Sequence, residues 1–281
     1  MTTVTRDARR RWSTTVYTTL AVVACAAVVF PVYWMLSISL RDTVYLYPVR
    51  ILPSDWGFDS YRTLFTEFPF TRWLGNTLYV AVGSTVVNML LAIPAAYGLS
   101  RFKMRGRGVF DLTILASQML PVSLLIVPFY VIWQRIGLLE SLNGLMLANM
   151  AIALPIAIWM LRGFFDSVPI EVEEAARVDG CNRVQAIIRV TLRMALPGVL
   201  ATGAFCFVEA WTEYLFAVTL ITSSDSSIVS GGLAREMFEQ SQIRWNVLMA
   251  GSMIATLPMF LLLVPLQRQL VRGITAGAVK S

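Results

Sequence analysis

Two carboxylates, Glu209 and Glu213, stand one helical turn apart in an otherwise apolar stretch, with Trp211 and Tyr214 beside them. Acids at that spacing can exchange protons with a substrate, relay a proton, or anchor one helix to another inside a hydrophobic layer. A charged group at membrane depth costs about 2.5–3.5 kcal/mol on the insertion scale, so both should face protein or a wet cavity. They are read either as a structural anchor to a partner helix or, with Trp211 and Tyr214, as part of a translocation path or gate. A membrane-embedded hydrolase is the weaker idea, because no nucleophile, oxyanion site or metal ligand accompanies the pair. The chain has no histidine and only Cys25, Cys181 and Cys206, scattered without metal-ligand or disulfide spacing. No catalytic residue and no metal site are therefore assigned. Nor is there a GxxxxGK[ST] loop to cradle a nucleotide; Gly106 and Gly108 sit among arginines without the lysine–serine ending. If transport is driven by ATP, another chain must bind the nucleotide.

The elements that would position these groups follow from composition. Of 281 residues, 57% are hydrophobic and 14% charged, more apolar surface than a water-soluble domain can bury. Six apolar stretches, at 14–40, 74–99, 109–133, 145–165, 198–221 and 247–266, meet the ~20 residues needed to cross a bilayer. The first is too long for a signal-peptide core of ~7–15 residues and reads as a retained helix. Prolines 94, 121, 128, 155, 258 and 265 fall inside these stretches, where they kink helices. Asn88, Gln118, Asn143 and Asn149 lie in or near the second to fourth stretches and suit helix–helix hydrogen bonds.

Charge sets the orientation. The head, the 100–108 loop, the 162–196 loop and the tail hold 16 of the 23 lysines and arginines, so these belong on the cytoplasmic side. The net charge of +6 is thus explained by topology and needs no nucleic acid. The expected fold is all-α, a polytopic membrane protein with six transmembrane helices. Its parts are a cytoplasmic head at 1–13, a permease domain at 14–267 and a cytoplasmic tail at 268–281. No internal repeat is visible, which weighs against an inverted-repeat secondary transporter. An ion-coupled carrier using Glu209 or Glu213 stays the runner-up.

The longest charged interval between two apolar stretches, 166–198, reads as two short helices. Pro169 suits a first turn, good helix formers follow, and Gly180 sits where a helix ends. Val172, Ala175, Ala176 and Asp179 fall on one thin face. Asn182 then caps a second helix, with Gln185 placed to bond back. Val184, Ile187, Ile188, Thr191 and Leu192 make its expected apolar stripe, with Arg183, Arg189 and Arg193 off it.

Glu174, Ala175, Ala176, Gly180, Val190 and Leu192 match, at the right spacing, a pattern that resembles the EAA loop of binding-protein-dependent ABC importer permeases. Arg193 stands where that family usually has proline, and Pro197 follows four residues later. The string 211–217, WTEYLFA, is similar to the WNEF-like string of sugar-importer permeases, with Thr212 in place of asparagine. The ending, with Gly273, Ala276, Gly277 and Lys280, resembles that of MalG-like subunits of the carbohydrate-uptake family. The resemblance implies a permease subunit of a sugar importer, the sugar being an oligosaccharide or a sugar derivative. It implies that the loop at 166–198 is a coupling helix seated in a cytoplasmic ATPase. Glu173, Glu174, Ala175, Ala176, Asp179 and Gly180 would make that contact, and the tail would reach the same ATPase. Its partners would be a second permease subunit, two ATPase copies that bind ATP and Mg, an extracytoplasmic solute-binding protein and membrane lipid. The compartment implied is a bacterial plasma membrane.

Overall fold

A computed structural model of the chain describes residues 3–41, 56–102, 106–239 and 244–278. Thirteen α-helices and one π-helical segment are present among these residues. There is no strand among them, only an isolated bridge between Arg41 and Trp56. By length and apolar composition four helices can each cross a membrane, and six crossings result if two bent pairs each count as one. This agrees with the all-α, six-stretch expectation and refines it at the two bent pairs.

The chain divides into two compact units. The first comprises residues 1–68 and 241–254. It holds helix α1 (Thr3–Ser39), the short α2 (Asp59–Thr66) and the start of the last helix. The apolar side chains of α1 are exposed along most of its length, as a helix that meets lipid requires. Polar contacts gather at its end: Ser39 Oγ and Tyr61 Oη lie 2.8 Å apart, and Ser60 and Asn246 both donate to the Arg41 carbonyl. Arg244 reaches Glu67 at 2.8 Å and covers the Phe68 ring.

The second unit, residues 69–240 and 255–281, is built on α3 (Phe70–Arg101). Along α3 the buried residues Ala81, Ser84, Asn88, Ala92 and Ala96 recur near helical spacing. Their small size lets a neighbouring backbone come close, which is how membrane helices gain contact without a hydrophobic driving force. The neighbour is α6 (Leu142–Asp166), which answers with Gly144, Ala148, Ala153 and Ala157. Helix α10 (Leu196–Trp211) packs on both. At its start Gly198 touches α6 so closely that a Cβ there would lie 2.0 Å from Phe164 Cγ.

The third apolar stretch is not one kinked helix. It is α4 (Arg107–Met119) and α5 (Val122–Ile136), set at 95° to each other, with Pro121 opening the second. Pro94, Pro128 and Pro155 lie inside helices that continue through them. The loop at 166–198 contains α7 (Ile170–Val178), α8 (Arg183–Ala186), a π-helical turn (Ile187–Thr191) and α9 (Leu192–Met194). It meets α10 at 78°. After α10 come α11 (Leu215–Leu220), α12 (Val229–Glu239) and α13 (Trp245–Ala278). Helix α13 thus continues beyond 268, where the sequence suggests a separate tail.

The polar residues of the spans behave unequally. Asn143 does bridge helices, accepting from the Tyr79 hydroxyl at 2.7 Å. Gln118 instead touches its neighbour Ser117, at 3.5 Å. Asn88 is fully buried with neither amide atom bonded, so the expected helix–helix bond is not formed there.

Candidate functional site

Helix α7 ends as its residues require. Pro169 holds the N-cap position with ψ 137°, one residue before the first turn. Gly180 takes a left-handed φ of 92°, and the amides of Gly180 and Cys181 close on the carbonyls of Arg177 and Ala176. The capping box that follows is complete: Gln185 N–H donates to Asn182 Oδ1 at 2.8 Å, and Asn182 N–H donates to Gln185 Oε1 at 3.0 Å.

On α7 three of the four residues of the expected face are open, and on the second helix the inward residues follow the expected stripe only in part. On α7 the buried residues are Glu173 and Ala176, while Val172, Glu174, Ala175 and Asp179 are exposed and Val178 is 88% exposed. On the second helix Val184 and Ile188 point outward, and Ala186, Thr191 and Ala195 are buried. Within the second helix the π-helical turn sets the buried Ala186 and Thr191 five apart, while Ile187 and Leu192 still pack on the core.

Glu173 joins three segments, as the pin of a hinge would. Its carboxylate accepts from the Tyr97 hydroxyl, from Arg101 Nε at 3.3 Å and from Thr191 Oγ1 at 3.2 Å. The side chains of Arg101 and Glu173 are 7% and 11% exposed. Arg101 also donates to the Val168 carbonyl at 2.9 Å, and Phe165 meets the Tyr97 ring edge-on. A charge pair so enclosed, with further hydrogen bonds on both partners, holds one geometry. It ties α7 to the end of α3 and to the π-helical turn. Nearby, Arg162 pairs with Asp111 of α4 and with Asp166, which accepts from Ser100 of α3 at 2.6 Å. Sequence reasoning assigned Glu173 but missed Tyr97, Arg101 and Thr191. A hydroxyl and a cation four apart, at the end of an apolar helix, were the available signal.

At the second site the pair of acids is not on one helix. Helix α10 stops at Trp211, and Glu213 lies in the break, where it accepts from the backbone N–H groups of Phe216 at 2.7 Å and Ala217 at 2.8 Å. It thereby caps α11. Trp211 turns away: it is buried, stacks on Phe207, and donates from Nε1 to the Ala255 carbonyl at 3.0 Å. Glu209, Glu213 and Tyr214 do come together, with Asn149 and Thr212, around a cavity of about 250 Å³.

A third cluster was not foreseen. Glu140, at a left-handed φ of 58°, accepts from both N–H and hydroxyl of Thr222 and from the N–H of Ser223. Partial burial raises its pKa, but these bonds and the charge of Arg235 outweigh that, so the net shift is downward. Of the tail residues, Gly273, Ala276 and Gly277 fall in the last turns of α13, and Lys280 lies outside the described residues. Among the described residues no cluster of acids and cysteines could hold a metal ion.

Residues 88–276 match the family of binding-protein-dependent transport system inner membrane components. The inner membrane ABC transporter permease protein YcjP of Escherichia coli K12 is 34% identical over 256 residues, covering 89% of this chain and 91% of that protein. The diacetylchitobiose uptake system permease protein DasC of Streptomyces coelicolor is 35% identical over 265 residues, 92% of this chain and 95% of its own length. Among solved structures, a bacterial ABC transporter involved in the import of the acidic polysaccharide alginate superposes with a TM-score of 0.77 at 23% identity. That match spans 92% of this chain and 96% of the other.

Proposed function

Because the chain belongs to the binding-protein-dependent transport system inner membrane component family, we propose that it is the permease subunit of an ATP-driven sugar importer, moved through α7. The chain is a non-catalytic subunit, and the ATPase is a separate polypeptide. The observation that carries the coupling role is the division of α7 into two faces. One face, with Glu174, Ala175 and Val178, is open to a partner; the other is pinned by Glu173 to α3. A force applied to the open face is thus delivered to a packed helix rather than absorbed by a loose loop. The C-terminal stretch with Gly273, Ala276, Gly277 and Lys280 is a second contact with the same ATPase.

The likeness to a diacetylchitobiose uptake permease supports a short oligosaccharide or a related sugar derivative as cargo. The excess of basic residues in the head, the 100–108 loop, the 162–196 loop and the tail supports cytoplasmic termini and a cytoplasmic α7. The working assembly is a heterodimer with a second permease, two ATPase copies and an extracytoplasmic binding protein. Within it, nucleotide-driven closure of the ATPases shifts the helices between two states of access. Glu213 spends both oxygens on backbone N–H groups, which removes the free carboxylate pair that an embedded hydrolase needs.

The test is Glu174→Arg in the co-expressed complex, reconstituted in proteoliposomes. Charge reversal on the exposed face should leave the subunit inserted and assembled while uptake per ATP hydrolysed falls at least tenfold. Uptake at the wild-type ratio would refute the coupling role of α7.

A further inference from the structure

The break between α10 and α11 opens a cavity whose chemistry is specific. Asn149 lines it from α6, is 6% exposed, and leaves Nδ2 without a hydrogen-bond partner. Its amide carries both donors and an acceptor, and a half-turn about the last torsion exchanges which of them meets the cavity. Glu209 lines the same space with free acceptors, Glu213 adds its charge while its oxygens accept from Phe216 and Ala217, Tyr214 adds a hydroxyl that donates and accepts, and Thr212, which donates to the Val208 carbonyl, keeps an acceptor. Among the described residues no lysine or arginine lines it.

We propose that this cavity is a binding subsite for one ring of a neutral or amino-substituted sugar, and that its two carboxylates exclude uronic acids and other anionic sugars. The proposal rests on the importer reading and names the class of cargo that this subunit itself accepts. A volume of about 250 Å³ sits just below the usual range of drug-sized pockets, room for a single ring and not for a long chain. Sugar hydroxyls are donors and acceptors at once, so they satisfy fixed carboxylates and the unbonded Asn149 amide together. The ring face lies against Tyr214, and a protonated amino group is attracted by Glu209. A carboxylate on the sugar meets the charges of Glu209 and Glu213 and, among the described lining residues, no cation.

The test uses the whole transporter, co-purified in nanodiscs, with methyl glucoside, glucosamine and glucuronate as probes. Saturation-transfer NMR titrations should show methyl glucoside and glucosamine binding, with glucuronate at least tenfold weaker. Asn149→Leu should weaken methyl glucoside at least tenfold. Glu209→Gln, on the exposed rim where folding is least at risk, should narrow the gap between glucosamine and glucuronate at least tenfold. Equal binding of the three probes, no binding of any, or affinities unmoved by Glu209→Gln would overturn the subsite. ATP-driven uptake, measured on the same preparation in proteoliposomes, separates the two readings. Uptake that needs ATP but ignores sugar charge removes the subsite alone, and uptake indifferent to ATP removes the importer reading.

Discussion

Replacing Glu173 by glutamine keeps the shape of the hinge and removes its charge. The carboxylate receives Arg101 and Thr191 on one oxygen and Tyr97 on the other. The best arrangement of the amide therefore points its oxygen at Arg101 and Thr191 and its N–H2 at Tyr97, whose hydroxyl can turn to accept. All three contacts survive in number, and what is lost is the carboxylate charge they share: the bonds of Tyr97 and Thr191 become neutral, and that of Arg101 keeps only the guanidinium's charge. Bonds to charged groups are worth about 1.5–3 kcal/mol against about 1 kcal/mol for neutral ones, so the loss is ~1–2 kcal/mol. Glu173→Leu goes further, since it leaves a guanidinium with 7% exposure facing no counter-charge. Removing one member of a buried pair costs ~3–5 kcal/mol, and the surviving bond from Arg101 to the Val168 carbonyl puts this case at the lower end. The readout is hydrogen–deuterium exchange of the amides at 174–179 in the assembled complex, because local opening of α7 is what the hinge resists. A loss of ~1–2 kcal/mol corresponds to about 5–30-fold faster exchange, larger again for leucine. A double-mutant cycle with Arg101→Gln should then return an interaction energy above ~0.5 kcal/mol. Exchange within twofold of wild type for both substitutions would refute the hinge, whatever happened to transport.

Two further outcomes follow from the geometry. Gly198→Ala sets a methyl 2.0 Å from the Phe164 ring, so α10 or α6 must shift, at an overpacking cost of ~1–3 kcal/mol. Melting of the complex should fall, and the fall should be smaller when Gly198→Ala is made in a Phe164→Ala background; an equal fall would show that the contact is not the cause. Glu140 has a folded pKa below its ordinary 4.5, so its clamp stabilises fully above 4.5 and is lost as pH falls through the lowered value. The melting difference between wild type and Glu140→Gln should accordingly be constant near neutrality and shrink below pH 4.5, and a difference that grows on acidification would contradict the sign.

What was legible in the sequence was whatever a few neighbouring residues decide. Asn182 and Gln185 form their capping box because both partners lie within one turn. Gly180 ends α7 because only a residue without a Cβ takes its φ of 92° cheaply. The π-helical turn left no such mark: the residues 184, 187, 188, 191 and 192 fit an α-helical stripe, of which Ile187, Thr191 and Leu192 face inward while Val184 and Ile188 turn out and Ala186 and Ala195 are buried. Glu173 finds Tyr97 and Arg101 across more than 70 positions of chain, which no local pattern encodes. The break at 212–214 contains neither proline nor glycine. It is held by a tertiary device, Glu213 capping α11, while Trp211 is drawn off to α13.

On the proposed reading, one helix joins the two functional regions. Helix α3 carries Tyr97 and Arg101 near its end and Ala81 about four turns earlier, where Ala81 packs with Ala210 and Trp211 at the close of α10. At a rise of 1.5 Å per residue, the 16 residues from Ala81 to Tyr97 span about 24 Å. Between those points the small-residue face of α3 is packed against α6 and α10 without room to slide gradually. A displacement of α7 therefore reaches the end of α10 as movement of a rod. The break beyond Trp211, held by one carboxylate cap, is the compliant part of that route. The cavity lies at this break and should change shape when α7 is pushed, which is what an access step coupled to a distant ATPase requires.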